Sequence, residues 1–304
     1  MGSTDPVGTG ELVIHLPVSR ARRAAPGPAP RRLLVGDPAD AAAAAAALGA
    51  GGLVGHPFGN VYALTARADA TTVRSVNLLT GRPPREVGSV TTTPLRLPLL
   101  LDWSRLPLAG HHVLGLLDAL LGRGPIGLRG PAGAGVPAHL TRLDGGARTV
   151  QVLLPGHACP SGDFLARALQ AVGSDLLAVT ATGGSRRLPA AEEPPHWRAA
   201  GMRGDFGADP RFVLLEHPDD RTAVDRYPAH APVGPSVLAL HALLPAGAGR
   251  RRLVLERHGS LPADAVREVA ESFGFDLALG PHARHRLPRR VYAVPHRDNA
   301  AVGA

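Results

Sequence analysis

The side chains best equipped for chemistry in this sequence are its arginines. The 304 residues include 33 Lys/Arg positions, every one of them arginine, against 25 Asp/Glu, for a net charge of +8. A guanidinium stays charged at any cellular pH and grips phosphate or carboxylate through two parallel hydrogen bonds. A GC-rich coding bias accounts for the missing lysine. It does not account for the excess of bases over acids, which points to a phosphate-bearing ligand, nucleotide or nucleic acid. Two local clusters, Arg250-Arg251-Arg252 and Arg284-His285-Arg286-Leu287-Pro288-Arg289-Arg290, suit RNA or nucleotide phosphates, or are simply solvated charge on loops. Few aromatics are interleaved with them, so base stacking is not indicated.

Other motifs exclude chemistries. Gly130-Pro131-Ala132-Gly133-Ala134-Gly135 is glycine-rich like a phosphate loop, but a P-loop requires a lysine, and the chain has none. No convincing acidic residue follows at dinucleotide-fold spacing, so the segment reads as a turn. His282, His285 and His296 stand among arginines without acidic neighbours, which disfavours a dication, so no tightly bound metal is expected. His111-His112 reads as a helix-surface pair. Ser236 lacks the glycine-flanked elbow of a serine hydrolase. Cys159 is the single cysteine, so no internal disulfide forms, and it reads as structural.

The elements that must position these residues alternate. Strands are expected near 32–35, 52–55, 61–66, 125–129, 149–154, 175–180, 212–216, 237–240 and 253–257. Helices are expected after Asp37-Pro38, which supply a cap and a first turn, and over 71–79, 106–121, 134–142, 161–172 and 263–273. The helix over 106–121 has Leu114, Leu117, Leu120 and Leu121 as its apolar face. His56 to Asn60 reads as a loop, and so does 181–210. The alternation predicts an open, mixed α/β sheet covered by helices. A short strand over 11–16 and an Arg/Pro-rich connector ending at Arg32 precede a domain over 33–280, and a basic tail covers 281–304. Aromatics make up 4% of the residues, so the core rests on Leu, Val and Ala. No apolar run spans a bilayer and the N-terminus lacks a signal core, so a cytoplasmic protein with no membrane partner is expected.

One ordered set of segments resembles the YrdC-like family, best known for threonylcarbamoyl-AMP synthases. Gly51-Gly52-Leu53-Val54-Gly55-His56-Pro57-Phe58-Gly59-Asn60-Val61-Tyr62-Ala63-Leu64 is similar to its opening run. A helix ending Leu78-Leu79-Thr80-Gly81-Arg82-Pro83 is similar to its Lys-x-Arg-Pro. Gly127-Leu128-Arg129-Gly130-Pro131 matches its Gly-apolar-Arg-x-Pro. Thr180-Ala181-Thr182 stands at its Ser-x-Asn, and Leu255-Glu256-Arg257-His258-Gly259 at its Leu-x-Arg-x-Gly.

The resemblance implies a twisted sheet with a basic concave face. It also implies condensation of ATP, supplied with Mg²⁺, with bicarbonate and L-threonine for tRNA modification, or carbamoyl-adenylate formation as in some relatives. Carried over by position, Arg82 and Thr180 would be catalytic. Arg129, Thr180, Thr182 and Arg257 would hold the nucleotide, and Pro57, Phe58, Asn60, Tyr62 and Thr80 would shape the substrate pocket. Threonines stand at the family's Lys and Asn, Phe58 follows the first Pro, and Ser236 to Leu240 replaces its Ser-Thr-Val-Val-Asp. These departures imply an adenylate-forming nucleotidyltransferase with an altered acceptor. The alternative is a non-catalytic binder of nucleotide, tRNA or other structured RNA.

Overall fold

A computed structural model describes residues 32–181, 194–245 and 251–287. In chain order the elements are β1 (Leu33–Leu34), α1 (Pro38–Gly49), β2 (Leu53–Phe58), β3 (Val61–Ala66), α2 (Ala70–Leu79), β4 (Ser89–Thr91), α3 (Gly110–Arg123), β5 (Ile126–Pro131), β6 (Thr141–Asp144) and β7 (Ala147–Leu154). They continue with α4 (Gly162–Val172), β8 (Leu177–Thr180), α5 (Ala199–Phe206), β9 (Phe212–Glu216), α6 (Arg221–Arg226), β10 (Ser236–Pro245), β11 (Arg251–Arg257), α7 (Ala263–Ser272) and β12 (Phe275–Leu279). The strands form one mixed sheet in the order β1-β9-β2-β3-β8-β4-β7-β5-β10-β11-β12, with β6 paired to β7. This is the expected mixed α/β sheet.

Local signals explain the helices. Asp37 caps α1, its carboxylate accepting from the amides of Ala39 and Asp40 at 2.8 and 3.0 Å, and Pro38 occupies the first turn. The alanine run then lets α1 lie close to α4, whose Phe164, Leu165, Ala168 and Leu169 are buried with Ala41, Ala44, Ala45 and Leu48. A larger core lies under α3 and α7. There Leu116, Leu120, Val266 and Ala270 meet Leu128, Val152, Leu238 and Leu255 from the sheet. Strand alternation selects these residues: Val150, Val152 and Leu154 of β7 face the helices, so Gln151 and Leu153 face the other way.

Several expectations shift. β2 runs through His56 and Pro57 to Phe58 instead of ending at Gly55, and Gly59-Asn60 is the hairpin turn to β3. Proline is tolerated there because the ladder to β9 stops at Gly55, and the amide of Tyr62, opposite Pro57, donates outward to the carbonyl of His196. The helix expected over 134–142 is one 3-10 turn, Ala138–Leu140, followed by β6. The helix expected over 106–121 begins at Gly110. Its buried face contains Val113 and Leu116 beside Leu117, Leu120 and Leu121, while Leu114 is exposed. Part of the expected loop over 181–210 is helix α5. Pro281 to Leu287 packs on the sheet edge, with Arg286 Nε donating to the Gly259 carbonyl at 2.9 Å. The strand expected over 11–16, Thr182, Arg250, Arg289, Arg290 and His296 lie outside the described residues.

The face of α3 has a direct test. Leu116→Ala is expected to cost about 2–5 kcal/mol of unfolding free energy, and Leu114→Ala within about 0.5 kcal/mol of nothing. Urea unfolding of both variants checks this, and equal losses would contradict the assigned face.

Candidate functional site

On the sheet face away from α3 and α7 lies a cavity of about 470 Å³. Its floor crosses adjacent strands: Val179 and Thr180 of β8, Ser89 of β4, Gln151 and Leu153 of β7, Arg129 of β5, Val237 of β10, and Glu256 and Arg257 of β11. Arg82 and Glu86, just beyond α2, and Arg142 of β6 form walls with Pro194, Pro195 and His282. Arginines 82, 129 and 257 come from segments far apart in the chain, and all three line this one hollow. Its lining contains four arginines and two glutamates.

Each of the three arginines is held. Arg129 is mostly buried, its Nε 2.8 Å from Glu256 Oε2, and its Nη2 donates to Gln151 Oε1 at 2.9 Å. Gln151 Nε2 in turn donates to Ser89 Oγ at 2.6 Å. Arg129 and Gln151 are a direct cross-strand pair, so the antiparallel register of β5 and β7 sets this contact. Arg82 Nη1 pairs with Glu86 at 3.3 Å. Arg257 Nε donates to the Pro235 carbonyl at 3.0 Å. These contacts orient the guanidinium groups before any ligand arrives, which lowers the entropic cost of gripping an anion.

Consecutive strand residues normally face opposite sides, yet Glu256 and Arg257 both line the cavity. The register explains it. Val237 pairs with Arg257 and Leu238 with Leu255, so Glu256 is the extra residue of a β-bulge. Leu253 and Leu255 of β11 are buried in the core under α3 and α7, so alternation already places Glu256 on the cavity face, and the bulge adds Arg257 to that face opposite Val237. Two glycines permit the close packing around it. A Cβ on Gly127 would sit 2.7 Å from Leu153 Cδ2 and 2.8 Å from Val237 Cγ2, both floor residues. A Cβ on Gly259 would sit 2.2 Å from the Gly234 carbonyl oxygen, closing off the backbone approach beside Arg257.

The five residues assigned to a substrate pocket lie elsewhere, in packed structure. Phe58, Asn60 and Tyr62 are almost fully buried, and Pro57 is buried in the same hairpin. Asn60 Nδ2 donates to the Ala231 carbonyl. Tyr62 Oη accepts from the His217 amide at 3.0 Å. The Pro57 carbonyl accepts from Ser161 Oγ at 2.6 Å. Thr80 caps α2, its hydroxyl bonded back to the carbonyls of Val76 and Asn77 at 2.8 and 3.2 Å. None of the five lines the cavity. Cys159 is buried beneath the hairpin, its Sγ accepting from the Gly59 amide at 3.5 Å, and burial pushes its thiol above the usual range. It therefore stays protonated and acts in packing.

Glu86, Glu256, Gln151, Ser89 and Arg142 were not singled out from sequence. For Gln151 a signal existed: it is the polar residue in an otherwise apolar stretch of β7, on the alternate face. The same signal existed for Glu256, which alternates with the buried Leu253 and Leu255.

With this geometry in view, the chain can be set beside known proteins. No protein-family profile and no curated sequence matches it. Solved structures do. A double-alanine variant of P. abyssi Sua5 superposes with a TM-score of 0.57 at 21% identity, covering 81% of this chain and 63% of that one. P. abyssi Sua5 complexed with L-threonine gives 0.55 at 20% identity, covering 80% and 60%. A hypothetical protein from Streptococcus mutans UA159 gives 0.53 at 12% identity, covering 76% and 90%. The fold is the YrdC-like fold. This chain spans less than two thirds of the length of either Sua5 chain.

The buried histidines near the β2–β3 hairpin give this YrdC-like domain a pH dependence. Burial pushes His56 down to about 4 from an ordinary 6.5, against a weaker opposing effect of its contact with the Pro57 carbonyl. Burial, with help from the charge of Arg226, pushes His217 down to about 4 as well. Both rings are neutral in the fold and gain protons near 6.5 once unfolded. Their contribution is therefore complete above pH 6.5 and is lost as pH falls through 4. Unfolding midpoints are expected to fall between pH 7 and 4 as unfolding takes up about two protons on these rings and more on His230 and His258, which burial also lowers, and a flat profile over that window would contradict the assignment.

Proposed function

We propose that this chain binds the phosphates of an adenine nucleotide in the arginine-lined cavity and forms an adenylate there with an acceptor of its own. The observation that carries this reading is the convergence of Arg82, Arg129 and Arg257, from three remote segments, on one hollow of about 470 Å³. That volume lies within the range of small-ligand sites, roughly 300–1,000 Å³. In adenylate formation an acceptor carboxylate or carbamate oxygen bonds to the α-phosphorus of ATP, and the bond to the departing pyrophosphate breaks. Negative charge spreads over the phosphoryl oxygens as this happens, and preoriented guanidiniums stabilise it. Arg129 and Arg257 would hold phosphate from the floor and Arg82 from the wall. The Thr180 hydroxyl stands at the floor edge, where it would contact the nucleotide. Mg²⁺ would arrive with the triphosphate, and the cavity carboxylates nearest to it would be Glu86 and Glu256.

An amino acid is the first acceptor class to test, because L-threonine is bound in a Sua5 structure. Its pocket here would have to use walls other than Pro57, Phe58, Asn60, Tyr62 and Thr80, which pack away from the cavity. That supports an altered acceptor.

The second reading is a non-catalytic binder of nucleotide, tRNA or other structured RNA. Thr80 favours it: the position expected to carry a lysine brings no charge to the cavity, and its hydroxyl is spent within α2. Arg142 and Arg148, on an open hollow along β6 and β7 beside the cavity, would extend the contact to a longer phosphate backbone.

Calorimetric titration with ATP tests the shared core. Arg129→Ala is expected to weaken binding at least about tenfold, consistent with the ~1.5–3 kcal/mol of a charge-assisted hydrogen bond. Unchanged affinity, with an unchanged melting temperature, would contradict both readings. Pyrophosphate release from ATP with bicarbonate and a panel of amino acids or amines separates them. Release supports the enzyme. Nucleotide or tRNA binding that weakens steeply with salt, without release, supports the binder.

A further inference from the structure

Beside the arginine cavity, three side chains from three strands are arranged as metal ligands are. His241 of β10, Glu256 of β11 and Asp144 at the end of β6 each offer one ligand atom, and these atoms lie within 4.8 Å of one another. His241 Nε2 is 2.9 Å from Asp144 Oδ2 and 3.9 Å from Glu256 Oε1. The other ring nitrogen, Nδ1, lies 3.3 Å from the carbonyl oxygen of Arg129. In the tautomer that donates Nδ1–H to this carbonyl, the Nε2 lone pair is directed at the two carboxylates, as a metal ligand's must be. Histidine ligands of metals are commonly fixed in this way, with the distal N–H donated to a backbone carbonyl.

The backbone departs from regular pairing at two of the three positions. Glu256 is the bulged residue of β11, and His241 lies in the stretch between Ala239 and Leu244 where β10 slips register against β11. The His241 side chain is only 9% exposed and that of Asp144 is 49% exposed, so the cluster has a buried wall and an open side for entry and for water ligands. Two carboxylates and a neutral imidazole carry the charge that balances a dication. Arg129 is the opposing feature, and Glu256 accommodates it: Oε2 faces Arg129 while Oε1 faces His241.

We infer that Asp144, His241 and Glu256 form a divalent-cation site of the Mn²⁺ or Zn²⁺ type, completed by water. The assignment stands whether or not the neighbouring cavity holds a nucleotide. It departs from the sequence expectation of no tightly bound metal, which considered only the histidines near the C-terminus.

The test uses the full chain, stripped with chelator and titrated with Mn²⁺, with bound metal followed by electron paramagnetic resonance and calorimetry. Mn²⁺ is the better first probe, because surface histidines take up Zn²⁺ indiscriminately. One Mn²⁺ per chain is expected, displaced by Zn²⁺, with affinity lowered at least about tenfold in Asp144→Asn and in His241→Gln. Asp144 is half exposed, so that variant keeps the fold and decides the question if His241→Gln does not. Absence of stoichiometric binding, or binding unchanged in Asp144→Asn, would overturn the site.

Discussion

Like charges gathered around one hollow repel one another, and the rest of this site is organised around that repulsion. Arg82, Arg129, Arg142 and Arg257 line the cavity, and Glu86 and Glu256 offset part of their charge. The offset is incomplete by design of the lining, so the cavity favours an anion. For the proposed phosphate ligand the carboxylates would also set the terms of binding. A phosphate that engages Arg129 shares it with Glu256 and Gln151, so affinity reflects the difference between two sets of hydrogen bonds. Such a site discriminates by geometry: a ligand gains only if its oxygens meet several guanidiniums at once.

The sheet supplies that geometry by dividing its two faces. On one face, Val150, Val152, Leu154, Leu128 and Leu238 are sealed under α3 and α7. On the other, the alternate residues Gln151, Leu153, Arg129 and Val237 form the cavity floor. The apolar burial that stabilises the domain thus orients the polar side chains as well. Two departures from regular pairing modify this plan. The bulge at Glu256 brings Arg257 onto the cavity face beside it, and β10 slips register around His241.

Much of this was legible in the sequence wherever a local signal was strong. Asp37-Pro38 and the alanine run define α1, and the spacing of Phe164, Leu165, Ala168 and Leu169 defines the buried face of α4. The three cavity arginines and Thr180 were identifiable because each stands in a segment with a recognisable resemblance. What escaped lacked a local signature. Ser89 to Thr91 is too short to show a period, yet β4 holds the centre of the sheet. Val113 and Leu114 are adjacent apolar residues of α3, and which of them faces the core was settled only by packing, which buries Val113. Pro57 reads as a strand breaker until its unpaired side is known. The positions that the resemblance assigned to a substrate pocket do not line the cavity, because Phe58, Asn60 and Tyr62 are buried in the hairpin core.

The fold is that of the solved Sua5 structures, and the altered acceptor is a proposal. The YrdC-like sheet and its convergent arginines are present, while the residues expected to meet the acceptor are committed to packing. The most direct test is a crystal structure of the chain with a non-hydrolysable ATP analogue. The account predicts density for phosphates in the cavity, with oxygens in hydrogen-bond reach of Arg129 and Arg257 and the Arg82 side chain turned toward them. An analogue bound elsewhere, with those three guanidiniums still engaged only by their protein partners, would contradict it.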